Sequence, residues 1–173
     1  MNFPRTRALD ANTPPTDWRS WRAVMARALR QAWLAGKAGE APVGALVIET
    51  ATGRILSQAR NASIGLSDPT AHAEILAIRQ AGQAIGNYRL GGCILAVTLE
   101  PCLMCVGAVI HARLDGVVFG ARDPKAGALV SNLDGAALPF TNHRPAVLEG
   151  VLAQECGATL SRFFAARRKA RNA

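Results

Sequence analysis

Four residues in this chain have the types and spacing to hold a metal and move a proton. His72 and Glu74 open one apolar run, in the stretch DPTAHAEILAIRQ, and Cys102 and Cys105 open another, in LEPCLMCVGAVIHAR. Inside an α-helix, residues two apart point about 200° away from each other. His72 and Glu74 can therefore converge on one point only at a first turn that is approached end-on. Cys102 and Cys105, three apart, share a face of the first turn of their own helix. A helix N-terminus carries positive partial charge and unpaired N–H groups, and both favour the thiolate a metal needs. One imidazole and two thiolates leave the fourth position of a tetrahedral zinc open, the arrangement of a catalytic site. Glu74, which that ligand set does not use, is placed as a general base.

Two other readings use the same residues. Cys-x-x-Cys at a strand-to-helix turn is also a thioredoxin-like redox motif, but that reading gives the His-Ala-Glu triplet no work. A structural zinc knob on an RNA-binding module would need Cys93 or Cys156 as a fourth ligand. Both lie inside apolar segments, where free cysteine is an ordinary buried residue.

The elements that must position these residues follow from periodicity. Residues 1–15, rich in Pro, Asn and Thr, read as a flexible tail, and 16–173 as a single domain. Thr16 is placed to cap a helix from about Asp17, in which Trp18, Trp21, Met25, Ala28, Leu29 and Ala32 recur at helical spacing. VGALVIE and RILSQARN are strands of a hairpin closed by TATG. A helix follows over about 71–83, then the buried strand CILAVTLE. Pro101 begins a third helix, over about 102–113, with Val106, Val109 and Ile110 as its core stripe. The strand GVVFGA, a long loop over 121–146, a short strand in AVLEGVL and a helix over about 154–170 complete the chain. This order implies one mixed five-stranded sheet with helices on both faces, a three-layer α/β/α sandwich.

Half of the 173 residues are hydrophobic, enough for one core without disulfide staples. The longest aliphatic runs are too short to span a bilayer, and the first fifteen residues hold no apolar signal region. A soluble cytoplasmic protein is expected. The formal charge is +8, and residues 19–37 and 162–171 together hold ten of the 20 basic residues and none of the 12 acids. Such clustering fits a polyanionic partner, most simply nucleic acid. Two solvated, arginine-rich helix faces compete with that reading.

His72-Ala73-Glu74 followed by Pro101-Cys102-Leu103-Met104-Cys105 resembles the H-x-E…P-C-x-x-C signature of zinc nucleoside and nucleobase deaminases. From about Thr16 to Arg168 the chain is similar to bacterial tRNA-specific adenosine deaminases. The likeness runs through PVGALV, NYRL, VTLEPCLMC, GAVIHAR, VVFGARDPKAGA, NHR and LSRFFAARR. DPTAHAE is also similar to guanine and cytosine deaminases, so a small-molecule nucleobase deaminase is the nearest alternative. The resemblance implies a cytidine-deaminase-like fold and hydrolysis of adenosine to inosine at the wobble position of tRNA anticodons, with release of ammonia. It implies one Zn2+ per chain on His72, Cys102 and Cys105, proton transfer by Glu74, the tRNA anticodon stem-loop as partner and a homodimer paired near the zinc sites. Two thiolates and a neutral imidazole cancel the +2 of zinc, so water there is less acidified than at a three-imidazole site and needs a carboxylate to take its proton. Asn61 resembles the family's base-reading asparagine, whose amide offers donor and acceptor to a purine edge. RNA contacts are expected at Arg122, Lys125, Asn142, His143, Arg144, Phe164, Arg167 and Arg168, because splayed bases want aromatic faces and cationic phosphate partners. Of the adjacent Phe163 and Phe164, one is expected buried and Phe164 presented. The chain departs from the resemblance at Leu129-Val130-Ser131, where Gly-Ser usually follows KAGA, so the 121–140 loop is expected to sit differently.

Overall fold

The structure is a computed structural model and describes residues 8–171. Four helices, α1 Trp21–Lys37, α2 Ala73–Ile85, α3 Leu103–His111 and α4 Ala153–Arg171, alternate with five strands. The strands are β1 Gly44–Glu49, β2 Ile55–Arg60, β3 Cys93–Leu99, β4 Gly116–Ala121 and β5 Ala146–Leu148. They form one sheet in the order β2-β1-β3-β4-β5. β1 runs antiparallel to β2 and β3, whereas β3, β4 and β5 are parallel. The sheet is therefore mixed, as the element order implied.

Strand alternation sends side chains to two cores. Ala45, Val47, Leu95, Val97, Val117 and Phe119 pack with Ala73, Ala77 and Ala81 of α2 and with Val106, Val109 and Ile110 of α3. Leu46, Ile48, Ile94, Ala96 and Val118 face the other way, onto Trp21, Val24, Met25 and Ala28 of α1 and Cys156 of α4. The result is three layers, with α2 and α3 on one face of the sheet and α1 and α4 on the other. Among the described residues no helix is long and apolar enough to cross a membrane.

Three boundaries differ from the sequence expectation. α1 starts at Trp21 rather than near Asp17, because the backbone of Asp17 turns left-handed at φ 65 and Ser20 takes the cap, its Oγ accepting from the Ala23 N–H at 3.3 Å. Trp18 is not on the helix: its indole N–H donates to the Gly53 carbonyl at 2.8 Å. α3 starts at Leu103 with Cys102 as N-cap, which leaves Pro101 just outside.

The third difference concerns the N-terminal segment. Residues 1–7 lie outside the described residues, but the rest of the expected flexible tail is docked. Ala8 bridges Val147 in parallel, Leu9 N–H donates to the Val147 carbonyl at 2.9 Å, and the Trp21 indole donates to the Asp10 carbonyl at 3.1 Å. Leu9 lies where a methyl on Gly116 would come within 2.7 Å, so glycine at 116 makes room for it. The segment thus supplies hydrogen bonds to the otherwise open edge of β5.

Candidate metal centre

The parallel strands β3 and β4 end side by side, and the N-termini of α2 and α3 meet at that end. His72 is the N-cap of α2 and Cys102 the N-cap of α3, and neither uses its side chain to cap its own helix. For α2 that work passes to Asn61, which follows β2: its Oδ1 accepts from the Ala73 N–H at 2.8 Å. The imidazole and the thiol are thereby free to point at each other.

His72 Nδ1 lies 3.7 Å from Cys102 Sγ and 3.6 Å from Cys105 Sγ, and the two sulfurs are 3.7 Å apart. A tetrahedral zinc with bonds of about 2.3 Å to sulfur and about 2.05 Å to nitrogen spaces its ligands about 3.8 Å (S to S) and about 3.6 Å (S to N). The donor set and its spacing fit zinc. Among the described residues these are the three whose ligand atoms cluster in this way. Cys93 and Cys156 are buried in different cores, and burial pushes their thiols up to about 11 and about 12. Neither reaches the cluster, which removes the four-ligand structural knob.

The cluster's own protons are unevenly held. The Cys102 thiol is drawn down to about 4 by the hydrogen bond from Cys105 and then by His72. Cys105, which donates that bond and is fully buried, is raised. His72 is raised too, chiefly by its hydrogen bond to Cys102. A dication takes both sulfurs as thiolates, so its binding at this cluster is linked to proton release. Glu74 is 4% exposed, and burial pushes its carboxyl up, against the pull of its own backbone N–H and of His72. A carboxyl raised in this way holds a proton more readily than an exposed glutamate does, which suits it to taking and returning one.

His72, Glu74, Cys102 and Asn61 form the floor of a cavity of about 740 Å³. Phe164 and Arg168 of α4 form one side, and residues 121–126 the other. Asn61 therefore stands where a base-reading residue is expected, but its acceptor is engaged by α2, which leaves the amide N–H2 to donate. Lys125 is exposed at the rim. Phe164 is 42% exposed, whereas Phe163 is partly buried.

Other expected RNA contacts are placed differently. Arg122 lines the cavity but grips Glu149 through two hydrogen bonds of 2.7 and 2.8 Å, so it is not a free phosphate partner. Arg167 does not line the cavity and lies over the Phe163 ring, 5.6 Å from its centroid. Asn142, His143 and Arg144 are at the opposite end of the sheet. The Asn142 carbonyl accepts from Arg113 at 2.8 Å, and His143 Nε2 donates to the Leu114 carbonyl at 2.6 Å. The reason is topological: β5 is parallel to β4, so the residues that precede β5 lie by the start of β4, and the cavity lies past its end.

Glu100 is the residue the sequence reading missed. It is 2% exposed, and its oxygens are held by hydrogen bonds. Its Oε1 accepts from the N–H groups of Leu129, Val130 and Ser131 at 3.1, 2.8 and 2.9 Å. Its Oε2 accepts from the Asp123 N–H at 3.1 Å and from the Ser131 hydroxyl. Burial works to raise this carboxyl, but the hydrogen bonds from Ser131, Val130 and Asp123 outweigh it and hold it below the usual range. Gly127 must be glycine, because a methyl there would sit 2.4 Å from Glu100 Cδ. The Leu129-Val130-Ser131 departure is thus part of the anchor: Leu129 is buried and Ser131 supplies the hydroxyl. Glu100→Ala strands several buried donors at about 1–3 kcal/mol each, so a loss of at least about 3 kcal/mol is expected in denaturant unfolding. A loss below about 1 kcal/mol would mean that the loop is held by other contacts.

Residues 19–121 match the cytidine and deoxycytidylate deaminase zinc-binding region. The chain belongs to that family: it is a hydrolytic deaminase with one zinc per chain. It is 47% identical over 146 residues to the tRNA-specific adenosine deaminase of Haemophilus influenzae, covering 84% of each chain. It is 42% identical over 149 residues to that of Bacillus subtilis, covering 86% of this chain and 91% of the other. Among solved structures, one from work on A-to-I editing by tRNA:A34 deaminases at the wobble position matches with a TM-score of 0.76 and 41% identity, over 79% of this chain and 97% of that one. The guanine deaminase of Nitrosomonas europaea matches with a TM-score of 0.73 at 25% identity, over 95% and 98%. Within its family the chain groups with the tRNA-specific adenosine deaminases.

Proposed function

We propose that this protein deaminates adenosine to inosine at the wobble position of tRNA anticodons, releasing ammonia. The observation that carries the reading is the His72–Cys102–Cys105 triangle, with the spacing of a zinc site, opening beside buried Glu74 into a cavity rimmed by Phe164 and Arg168. High identity to tRNA-specific adenosine deaminases over most of the chain supports the substrate.

His72, Cys102 and Cys105 hold the metal, and zinc bound there supplies Lewis acidity at the open position. Glu74 takes one proton of the attacking water on its carboxylate and passes it to the purine ring nitrogen, then takes the second from the new hydroxyl on the attacked carbon and passes it to the departing amine. Its burial keeps bulk water from competing for those protons. Asn61 donates from its amide N–H2 to the purine edge while its Oδ1 steadies the helix that carries His72 and Glu74. Phe164 offers a face to an unstacked base, and Lys125 and Arg168 meet phosphates. Arg122 acts as a wall tie through Glu149. Leu103 and Met104, at the exposed start of α3, and Ile64 and Leu66, on the loop before α2, are apolar and exposed close to the site, and a homodimer would cover them. A tRNA substrate would be met in the cytoplasm.

Incubation of the zinc-loaded protein with a panel of tRNAs, and separately with free adenosine, cytidine and guanine, tests the reading. Inosine is expected at the wobble position of an A34 tRNA, with no product from the free compounds. Deamination of guanine and of no RNA would assign the protein to the small-molecule branch.

A further inference from the structure

Two aromatic–cation pairs lead outward from the rim of the cavity. Phe164, at the rim, meets Phe163 edge to face with ring centroids 5.3 Å apart. Arg167 lies over Phe163 at 5.6 Å. Phe163 rests against Gly36, near the end of α1, where a methyl would sit 3.8 Å from its Cδ2. The next residue, Lys37, reaches back one turn to place its Nζ 5.4 Å over the ring of Trp33. Trp33 is 57% exposed, whereas Trp21 is buried and Trp18 partly buried.

The helix face around Trp33 is basic. At about 100° per residue, Arg27, Arg30, Trp33 and Lys37 fall on one side of α1, and all four are exposed. No acid occurs between residues 19 and 37. The one acid of α4, Glu155, sits in its first turn and pairs with Arg22 at 3.5 Å, at the far end from Lys37 and Arg167. Cations interleaved with aromatic faces are the composition of a single-strand track. An apolar protein partner would leave these charges unpaired.

We propose that the surface joining the C-terminal ends of α1 and α4 is a second RNA station, on which the strand beside the edited nucleotide runs. Trp33 is its stacking platform, and Arg30, Lys37 and Arg167 are its phosphate contacts. The proposal rests on the tRNA reading above and extends it to a helix that contributes nothing to the floor of the cavity.

The test uses the full zinc-loaded chain and an A34 tRNA, with affinity measured at several salt concentrations. Trp33→Ala is expected to weaken binding about tenfold, and Trp33→Phe to keep most of the affinity. The double variant Arg30→Glu, Lys37→Glu is expected to weaken binding by at least several-fold and to lower the slope of log affinity against log salt by about two units. Zinc content and melting temperature should match the parent in all three, because the altered side chains are exposed. Parental affinity and salt slope in both Trp33→Ala and the double variant would overturn the proposal. So would an equal loss in Trp33→Phe and Trp33→Ala, which would deny Trp33 a stacking role. If the parent chain itself neither binds nor edits tRNA, the functional reading fails instead, and that outcome is visible before any variant is made.

Discussion

Glu74→Gln is expected to retain its zinc and its fold and to lose deamination by about 10²–10⁴-fold, the usual weight of a positioned general acid–base. Glutamine has nearly the same shape and fills the same buried space, but it cannot accept a proton and return it. Stability should hold or rise at neutral pH. Burial raises the carboxyl's pKa in the folded protein, so the native state binds the Glu74 proton more tightly than the unfolded chain does. Its contribution therefore falls as pH rises through the folded value. Glutamine, always neutral, carries no such loss, so activity and stability should part company in this variant. Zinc content by metal analysis, a melting curve and an inosine assay read the three consequences separately. Loss of metal in Glu74→Gln would make Glu74 a ligand and would sink the proton-transfer role.

His72→Ala, Cys102→Ser and Cys105→Ser are each expected to deplete zinc and activity together and to lower the melting temperature. The ligands come from the mouths of α2 and α3, so a bound ion joins two helices that otherwise meet through few side chains, and its binding energy adds to folding energy. Cys105→Ser should be the most damaging, because Cys105 is fully buried and serine leaves a hydroxyl where a sulfur packed. A strong chelator added to the parent protein should lower the melting temperature in the same direction. Cys93→Ala with Cys156→Ala is the control and should keep one zinc per chain. Retained zinc and activity in any one of the three ligand variants would remove that residue from the site.

The floor of the site was legible in the sequence because its geometry is local. A histidine and a glutamate two apart can converge only at a helix mouth, and two cysteines three apart share one face, so convergence follows once each mouth follows a turn. The layers were legible as well, since period-2 and period-3.6 patterns are explicit in segments such as CILAVTL and the stripe of Val106, Val109 and Ile110. What escaped depends on partners distant in sequence. Arg122 reads as a phosphate contact until Glu149, 27 residues on, is seen to hold it. Thr16 reads as the cap of the first helix until Trp18 is seen reaching across to Gly53, which leaves Ser20 to cap it. Asn142, His143 and Arg144 fell at the wrong end because the parallel pairing of β5 with β4 is a property of the sheet, not of that loop. Glu100 gave no sign of its role, since three of its partners are the backbone N–H groups of residues 129–131, and any residue but proline has one.

That last property has a consequence for how this protein can change. A carboxylate that grips a loop by its main chain leaves most of the loop's side chains uninvolved in holding its shape. Lys125 and Ala126 point into the substrate's space from a segment whose course is fixed from behind. Substitutions at those two positions can therefore alter what the cavity accepts while the path of the loop, and with it the alignment of Cys102 against Gly127, stays as it is. The wall of the cavity is a place where substrate preference can drift by single substitutions without a matching loss of the metal site.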